Sequence, residues 1–233
     1  MRYYKIDIKG HYREVGRIAS DAEGDKIPNA DYYFKKIRAG ELVTDAPLFD
    51  YFYLKSFDKK EFWEWKLCDV HMFIGEASRL SICWFVSEKL RLLFAKFNLS
   101  IPNHFYPSKL LYKGEMLDYY IFQFTGNLVY KQTLDYVDYP ASAFWNPEKK
   151  TDIIVSDKYN FLSEWDRVYK ENNSIAKIIQ FKKLVFKEHL DFFPIGTLMK
   201  DNIISEKLKN AMEENGIEGF EFSELDYEVA VEK

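Results

Sequence analysis

The sequence predicts an α+β protein: a mixed sheet carrying short Ser-capped helices. Three observations lead there. β-branched and aromatic runs have the length of strands, apolar stripes at helical spacing begin just after a serine, and a strand–helix–strand unit recurs. The 20 Phe, 17 Tyr and 5 Trp, 18% of 233 residues, exclude a disordered chain, which is poor in such residues. Two cysteines exclude a disulfide scaffold.

The opening Met1-Arg2-Tyr3-Tyr4-Lys5-Ile6-Asp7-Ile8-Lys9 alternates apolar and polar residues and reads as a strand rather than an export signal. Residues 45–65 are dense in aromatics and charge, with a helix expected around 59–68. Phe85-Val86-Ser87-Glu88-Lys89-Leu90 is echoed by Ile154-Val155-Ser156-Asp157-Lys158-Tyr159 and by Ile203-Ile204-Ser205-Glu206-Lys207-Leu208. Each copy reads as strand, cap, helix. The serine accepts from an orphan amide and the acid faces the positive end of the dipole. Leu90, Leu93, Phe94 and Phe97 make the first stripe; Tyr159, Leu162 and Trp165 the second; Leu208, Ala211 and Met212 the third. Asn215-Gly216 supplies a left-handed stop. Residues 101–110 and 217–225 follow the first and last copies as strands. Leu117-Asp118-Tyr119-Tyr120-Ile121-Phe122-Gln123-Phe124 and Asn127-Leu128-Val129-Tyr130 read as further strands, and residues 175–186 supply one or two more, with a helix over part of that run as the alternative. One domain over residues 1–233 is expected, with division into lobes 1–148 and 149–233 left open.

The net charge is −4, but it is unevenly placed. Residues 201–233 hold ten acids against Lys207, Lys209 and Lys233, a net −7, so the first 200 residues carry +3. That segment is either a solvated face or a docking surface for a basic partner. A pI near 5.7 argues against general nucleic-acid binding. The longest apolar run, near residues 80–86, is too short for a membrane span, which needs about 20 residues. With no export signal, the cytoplasm is expected.

Catalytic motifs do not emerge. There is no Gly-rich phosphate loop and no G-x-S-x-G elbow. Cys68, Asp69, His71 and Cys83 are the nearest approach to a metal cluster and read better as an ordinary buried thiol and a helix-surface histidine. Glu61/Glu64 and Asp135/Asp138 read as solvated pairs. No cofactor or metal is expected. Tyr51, Tyr53, Trp63 and Trp65 are candidates for a partner-binding face, with a sugar-stacking platform as the alternative.

From about residue 80 onward the chain resembles a bacterial immunity-protein family of polymorphic toxin systems, about 200 residues long and formerly a domain of unknown function. The resemblance rests on the order of Val86-Ser87-Glu88-Lys89-Leu90, Tyr119-Tyr120-Ile121-Phe122-Gln123-Phe124, Leu134-Asp135-Tyr136-Val137-Asp138-Tyr139…Ser142, Ile178-Ile179-Gln180-Phe181-Lys182, and Ile204-Ser205-Glu206-Lys207-Leu208…Asn215-Gly216-Ile217-Glu218-Gly219-Phe220. It implies a non-catalytic cytoplasmic protein that binds and neutralises one cognate toxin. A basic toxin would meet Glu213, Glu214, Glu218 and Glu221. The alternatives are a carboxylate-dependent hydrolase and an aromatic carbohydrate- or peptide-binding module.

Overall fold

The computed structural model describes residues 1–12, 17–55, 65–100, 102–125, 133–172, 178–195 and 201–232. It is an α+β fold. Strands β1 (Tyr3–Ile8), β15 (Phe192–Ile195), β16 (Asp201–Ser205) and β17 (Phe220–Glu224) form an antiparallel sheet in the order β15-β16-β1-β17. A seven-stranded mixed sheet has the order β7-β9-β11-β10-β5-β4-β8, built from β4 (Asp21–Glu23), β5 (Phe49–Lys55), β7 (Val70–His71), β8 (Phe73–Ile74), β9 (Trp84–Ser87), β10 (Asn103–Tyr112) and β11 (Glu115–Phe124). A third sheet, β13-β12-β14-β18, uses β12 (Ala143–Asn146), β13 (Thr151–Ile153), β14 (Gln180–Phe186) and β18 (Glu228–Val231). Short strands β2 (His11–Tyr12), β3 (Arg17–Ala19) and β6 (Trp65–Lys66) make a fourth. Four α-helices are described: α1 (Ala30–Arg38), α2 (Glu88–Phe94), α3 (Lys158–Asn172) and α4 (Glu206–Glu214).

Strand alternation sorts the aromatic residues into three stacked cores. On β11, Tyr119 and Ile121 face a core shared with Phe34 and Ile37 of α1, while Tyr120 and Phe122 face the central core. Leu90, Leu93 and Phe94 of α2 and Leu208 and Met212 of α4 fill that centre. On β16, Ile204 faces the centre, and Ile203 faces a third core with Phe161 and Val168 of α3. Two sheets, each apolar on both faces, therefore separate three cores.

Half of the large sheet repeats the small one. Strands β7-β9-β11-β10 correspond to β15-β16-β1-β17. Val70 pairs with Val86 and His71 with Phe85, as Phe192 pairs with Ile204 and Phe193 with Ile203. Tyr119 stands opposite Ser87, as Tyr3 stands opposite Ser205. In the first unit β11 follows β10 through a two-residue turn at Lys113 and Gly114, both at positive φ. In the second unit that inner place is taken by the N-terminal strand β1.

The capping expectation holds for two of its three serines. Ser87 and Ser205 each accept from the amide three residues on, at 3.2 Å. Gly216 at φ 58 ends α4, with the Ile217 amide bonded to the Met212 carbonyl at 2.9 Å. Ser156 does not cap α3. Asp157 accepts from the Asn160 amide at 2.8 Å instead, because its carboxylate is the stronger acceptor one residue nearer the helix. The expected strand there is also absent: β13 stops at Ile153, Ile154 is 93% exposed, and Tyr159 is 83% exposed. The buried stripe of α3 runs through Phe161 and Val168, with Leu162 and Trp165 at its margin. Residues 65–66 are strand rather than the end of a helix; 56–64 and 126–132 lie outside the described residues, and with them the expected strand at 127–130.

Candidate partner-binding surfaces

Two aspartates brace the helix caps. The Ser87 hydroxyl donates to Asp69 Oδ1 at 2.7 Å, and Asp69 Oδ2 accepts from the Glu218 amide at 2.9 Å. The Ser205 hydroxyl donates to Asp191 Oδ1 at 2.6 Å, and Asp191 Oδ2 accepts from the Asn98 amide at 3.0 Å. Asn98 follows α2 and Glu218 follows α4, so each aspartate ties its own cap to the chain leaving the other unit's helix. The second brace has an addition. His189 Nε2 lies 2.9 Å from Asp191 Oδ1, and its Nδ1 lies 3.1 Å from the Tyr3 hydroxyl. Burial works against the Asp191 carboxylate, yet the hydrogen bonds from Ser205, Asn98 and His189 hold it below its ordinary pKa. Burial, reinforced by Asp191, pushes Tyr3 up to about 12. Ser87 and Ser205 are thus engaged as caps, whereas the Ser156 hydroxyl donates to Asp157 Oδ2 at 3.0 Å.

The residues nearest to a metal motif have core roles. His71 is not the helix-surface residue expected but lies on strand β7, 1% exposed, because both ring nitrogens find backbone partners there: Nδ1 is bonded to the Ser20 carbonyl at 2.5 Å and Nε2 to the Cys68 amide at 3.2 Å. A carbonyl only accepts and an amide only donates, so the proton sits on Nδ1 and the ring is neutral. Burial lowers its pKa to about 4 and drives the Cys83 thiol far up. Of the carboxylate pairs, Asp135 bonds Lys158 at 2.6 Å and Asp138 caps a turn at Ala141; Glu61 and Glu64 lie outside the described residues. Among the described residues no group of three or more His, Cys, Asp and Glu is placed to hold a metal ion.

Two of the four aromatic candidates can be located. Tyr51 and Tyr53 flank the buried Phe52 on β5 and turn to the opposite side of the sheet. Tyr53 is in register with Leu111 of β10, which is paired with Met116 of β11. The neighbouring row, Phe52, Leu110 and Leu117, runs into the first core, so Tyr53, Leu111 and Met116 lie on the face that carries Tyr120 and Phe122, at its exposed margin beyond the central core. Leu111 is 37%, Tyr51 43% and Met116 46% exposed. Lys26 lies 5.4 Å over the Tyr51 ring, and Lys109 is paired with Asp118 beside the row. Trp63 lies outside the described residues, and of Trp65 only the backbone pairing with Ile18 is described. Leu111 and Met116 escaped the sequence reading, although their alternation on either side of the Lys113-Gly114 turn is a usable signal.

The acidic candidates are dispersed. Glu213 pairs with Lys209 at 2.7 Å, Glu214 ends α4, and Glu218 pairs with Lys66 at 2.9 Å. Glu221 faces away from Phe220 and Phe222, which point to the central core containing α4, and its register partner is Asp7. Other acids of the segment are matched by bases from elsewhere in the chain: Asp201 with Lys5 at 2.9 Å, Glu224 with Arg2 at 2.8 Å, and Glu228 with Lys183 at 3.1 Å. Folding therefore spreads the −7 of the sequence over the molecule.

A cleft of about 780 Å³ lies where β17 gives way to β18, floored by Met1, Arg2 and Tyr3. Its two acids, Glu224 and Glu228, each face a base rather than one another. No helix among the described residues is long and apolar enough to cross a membrane. No protein-family model matches the chain, and no curated protein matches it.

Proposed function

We propose that this chain is a non-catalytic immunity protein that binds the toxin domain of a bacterial polymorphic toxin system and neutralises it in the cytoplasm. The family resemblance suggests the role. The observation that supports it is the exposed row of Tyr53, Leu111 and Met116 beside Tyr51, an apolar and aromatic margin of the sheet bordered by the Lys109–Asp118 pair. Aromatic and methionine anchors within a polar rim are the composition of a protein-binding patch. Ser87, Ser205 and the buried His71 are engaged in holding the fold.

Co-expression with the toxin encoded beside this gene tests the proposal. A complex that survives size-exclusion chromatography, together with rescue of growth, is the expected result. Growth arrest with no complex would overturn it.

A further inference from the structure

The repeat reaches beyond the four paired strands. β5 runs parallel to β10 and antiparallel to β4, and α1 lies between β4 and β5 in the chain. β14 runs parallel to β18 and antiparallel to β12, and α3 lies between β12 and β14 in the chain. The Ser-capped helices match in detail as well. Arg91, the fourth residue of α2, lies 4.9 Å over the Tyr120 ring, and Lys209, the fourth residue of α4, lies 5.4 Å over the Tyr4 ring. β1 therefore stands in the second unit where β11 stands in the first. The chain reaches the two places differently. Every strand of the seven-stranded sheet lies between Asp21 and Phe124, whereas β12 to β18 occupy Ala143–Val231 and their inner strand is Tyr3–Ile8. Arg2 and Glu224, which meet beside that strand, are 222 residues apart.

β1 also joins what are otherwise separate pieces. β16 and β17 each pair with β1 and not with one another. Tyr3 belongs to the third core and Ile6 to the central one, so both cores stay open until β1 is in place. Closing a loop costs more entropy the longer it is: the β10–β11 hairpin closes over a two-residue turn, whereas Tyr3 meets Ser205 across roughly 200 residues. We infer that β1 is a clasp. The first unit folds on its own contiguous chain, and β1 docks afterwards between β16 and β17, closing the central and third cores in one step. Before that step the facing edges of β16 and β17 are open to wrong pairing, and the clasp is what covers them.

Pulse-labelled amide exchange during refolding from urea, read by mass spectrometry, measures the order. Amides of β9, β10 and β11 are expected to gain protection at least about tenfold sooner than those of β1, β16 and β17. A circular permutant tests the cause. Met1 and Val231 line one cleft, so a short Gly/Ser linker can join the ends of the chain, which is reopened after the exposed Gly10. β1 then follows β18 as β11 follows β10, and thermal melting checks that the permutant folds. Its gap between the two sets of amides is expected to shrink to less than about threefold, because the long loop is gone. Protection of β1 in the same step as β11 in the wild type overturns the clasp, and so does a gap that the folded permutant leaves unchanged. If the permutant does not fold, the order in the wild type decides alone. The clasp involves no partner, so its failure would leave the immunity reading standing.

Discussion

Asp69 and Asp191 hold equivalent places in two copies of one structural unit, each joining a capping serine to the chain that leaves the other copy's helix. The two units are therefore locked reciprocally. Loss of either brace loosens a cap and an inter-unit contact together. Asp191→Ala strands the Ser205 hydroxyl and the Asn98 amide, so urea unfolding is expected to show a loss of about 3 kcal/mol. Ser205→Ala alone is expected to lose about 1 kcal/mol. Because the two side chains act on one another, the double variant should fall short of additivity by about 1 kcal/mol. Strict additivity would mean that the serine caps α4 without help.

Acid should destabilise the fold in two stages. Folded His71 stays neutral down to about pH 4, whereas an unfolded imidazole takes up its proton near 6.5. The unfolded state binds more protons in that window, so stability falls as the pH drops from about 6.5 to 4, by on the order of 3 kcal/mol. Asp191, held below its ordinary value, contributes stability above the usual carboxylate range and loses it as the pH falls through its folded value. His71→Gln should lower stability at neutral pH and flatten the curve between pH 6.5 and 4. A curve parallel to the wild type would place the acid sensitivity elsewhere.

Local signals were legible and long-range ones were not. Ser87, Ser205 and Gly216 act through backbone groups within a few residues of themselves, so their types and spacing disclose them. Ser156 misled because Asp157 beside it can cap as well, and only the fold decides which does. The Asp69 carboxylate meets the Glu218 amide across 149 residues of chain, and nothing local in either segment marks that meeting. The repeat of Phe-Val-Ser-Glu-Lys-Leu and Ile-Ile-Ser-Glu-Lys-Leu disclosed two related units. That β1 completes the second one required the register of Tyr3 with Ser205. The exposed margin of β5, β10 and β11 was half visible: Tyr51 and Tyr53 stand out by type, but Leu111 and Met116 join them only through strand pairing.

Gly75 should tolerate no side chain. Its φ is 55, and a Cβ would lie 1.5 Å from Glu23 Oε2. Glu23 is buried, with Oε1 accepting from the Glu76 amide at 2.8 Å and the Gly24 amide at 3.0 Å, so the carboxylate cannot withdraw without stranding both. Gly75→Ala is expected to lose more than about 2 kcal/mol, from left-handed strain and steric displacement combined. A melting temperature equal to the wild type's would show that Glu23 has another place to go.

The acidic segment gives a prediction about salt. Since Glu213 and Glu218 already have basic partners and Glu221 lies on another face, reversing all four of Glu213, Glu214, Glu218 and Glu221 alters the general field rather than one contact. For a basic toxin this should slow association at low ionic strength and leave dissociation nearly unchanged, with the difference vanishing at high salt. Surface plasmon resonance across a salt series separates the two rates. A large, salt-independent rise in dissociation would place one of these acids inside the interface.

Removal of the exposed row should do the opposite. Tyr51, Leu111 and Met116 contribute to none of the three cores, so replacing them with alanine should shift stability by no more than about 0.5 kcal/mol each. If the row is the binding face, the cost appears in the complex. Tyr51→Ala is expected to weaken toxin binding by about 2 kcal/mol, mostly through faster dissociation, and the paired Leu111→Ala and Met116→Ala variant by a similar amount. Calorimetric titration against the toxin domain, alongside melting of each variant alone, separates the two effects. Wild-type affinity in both variants would move the interface off this sheet.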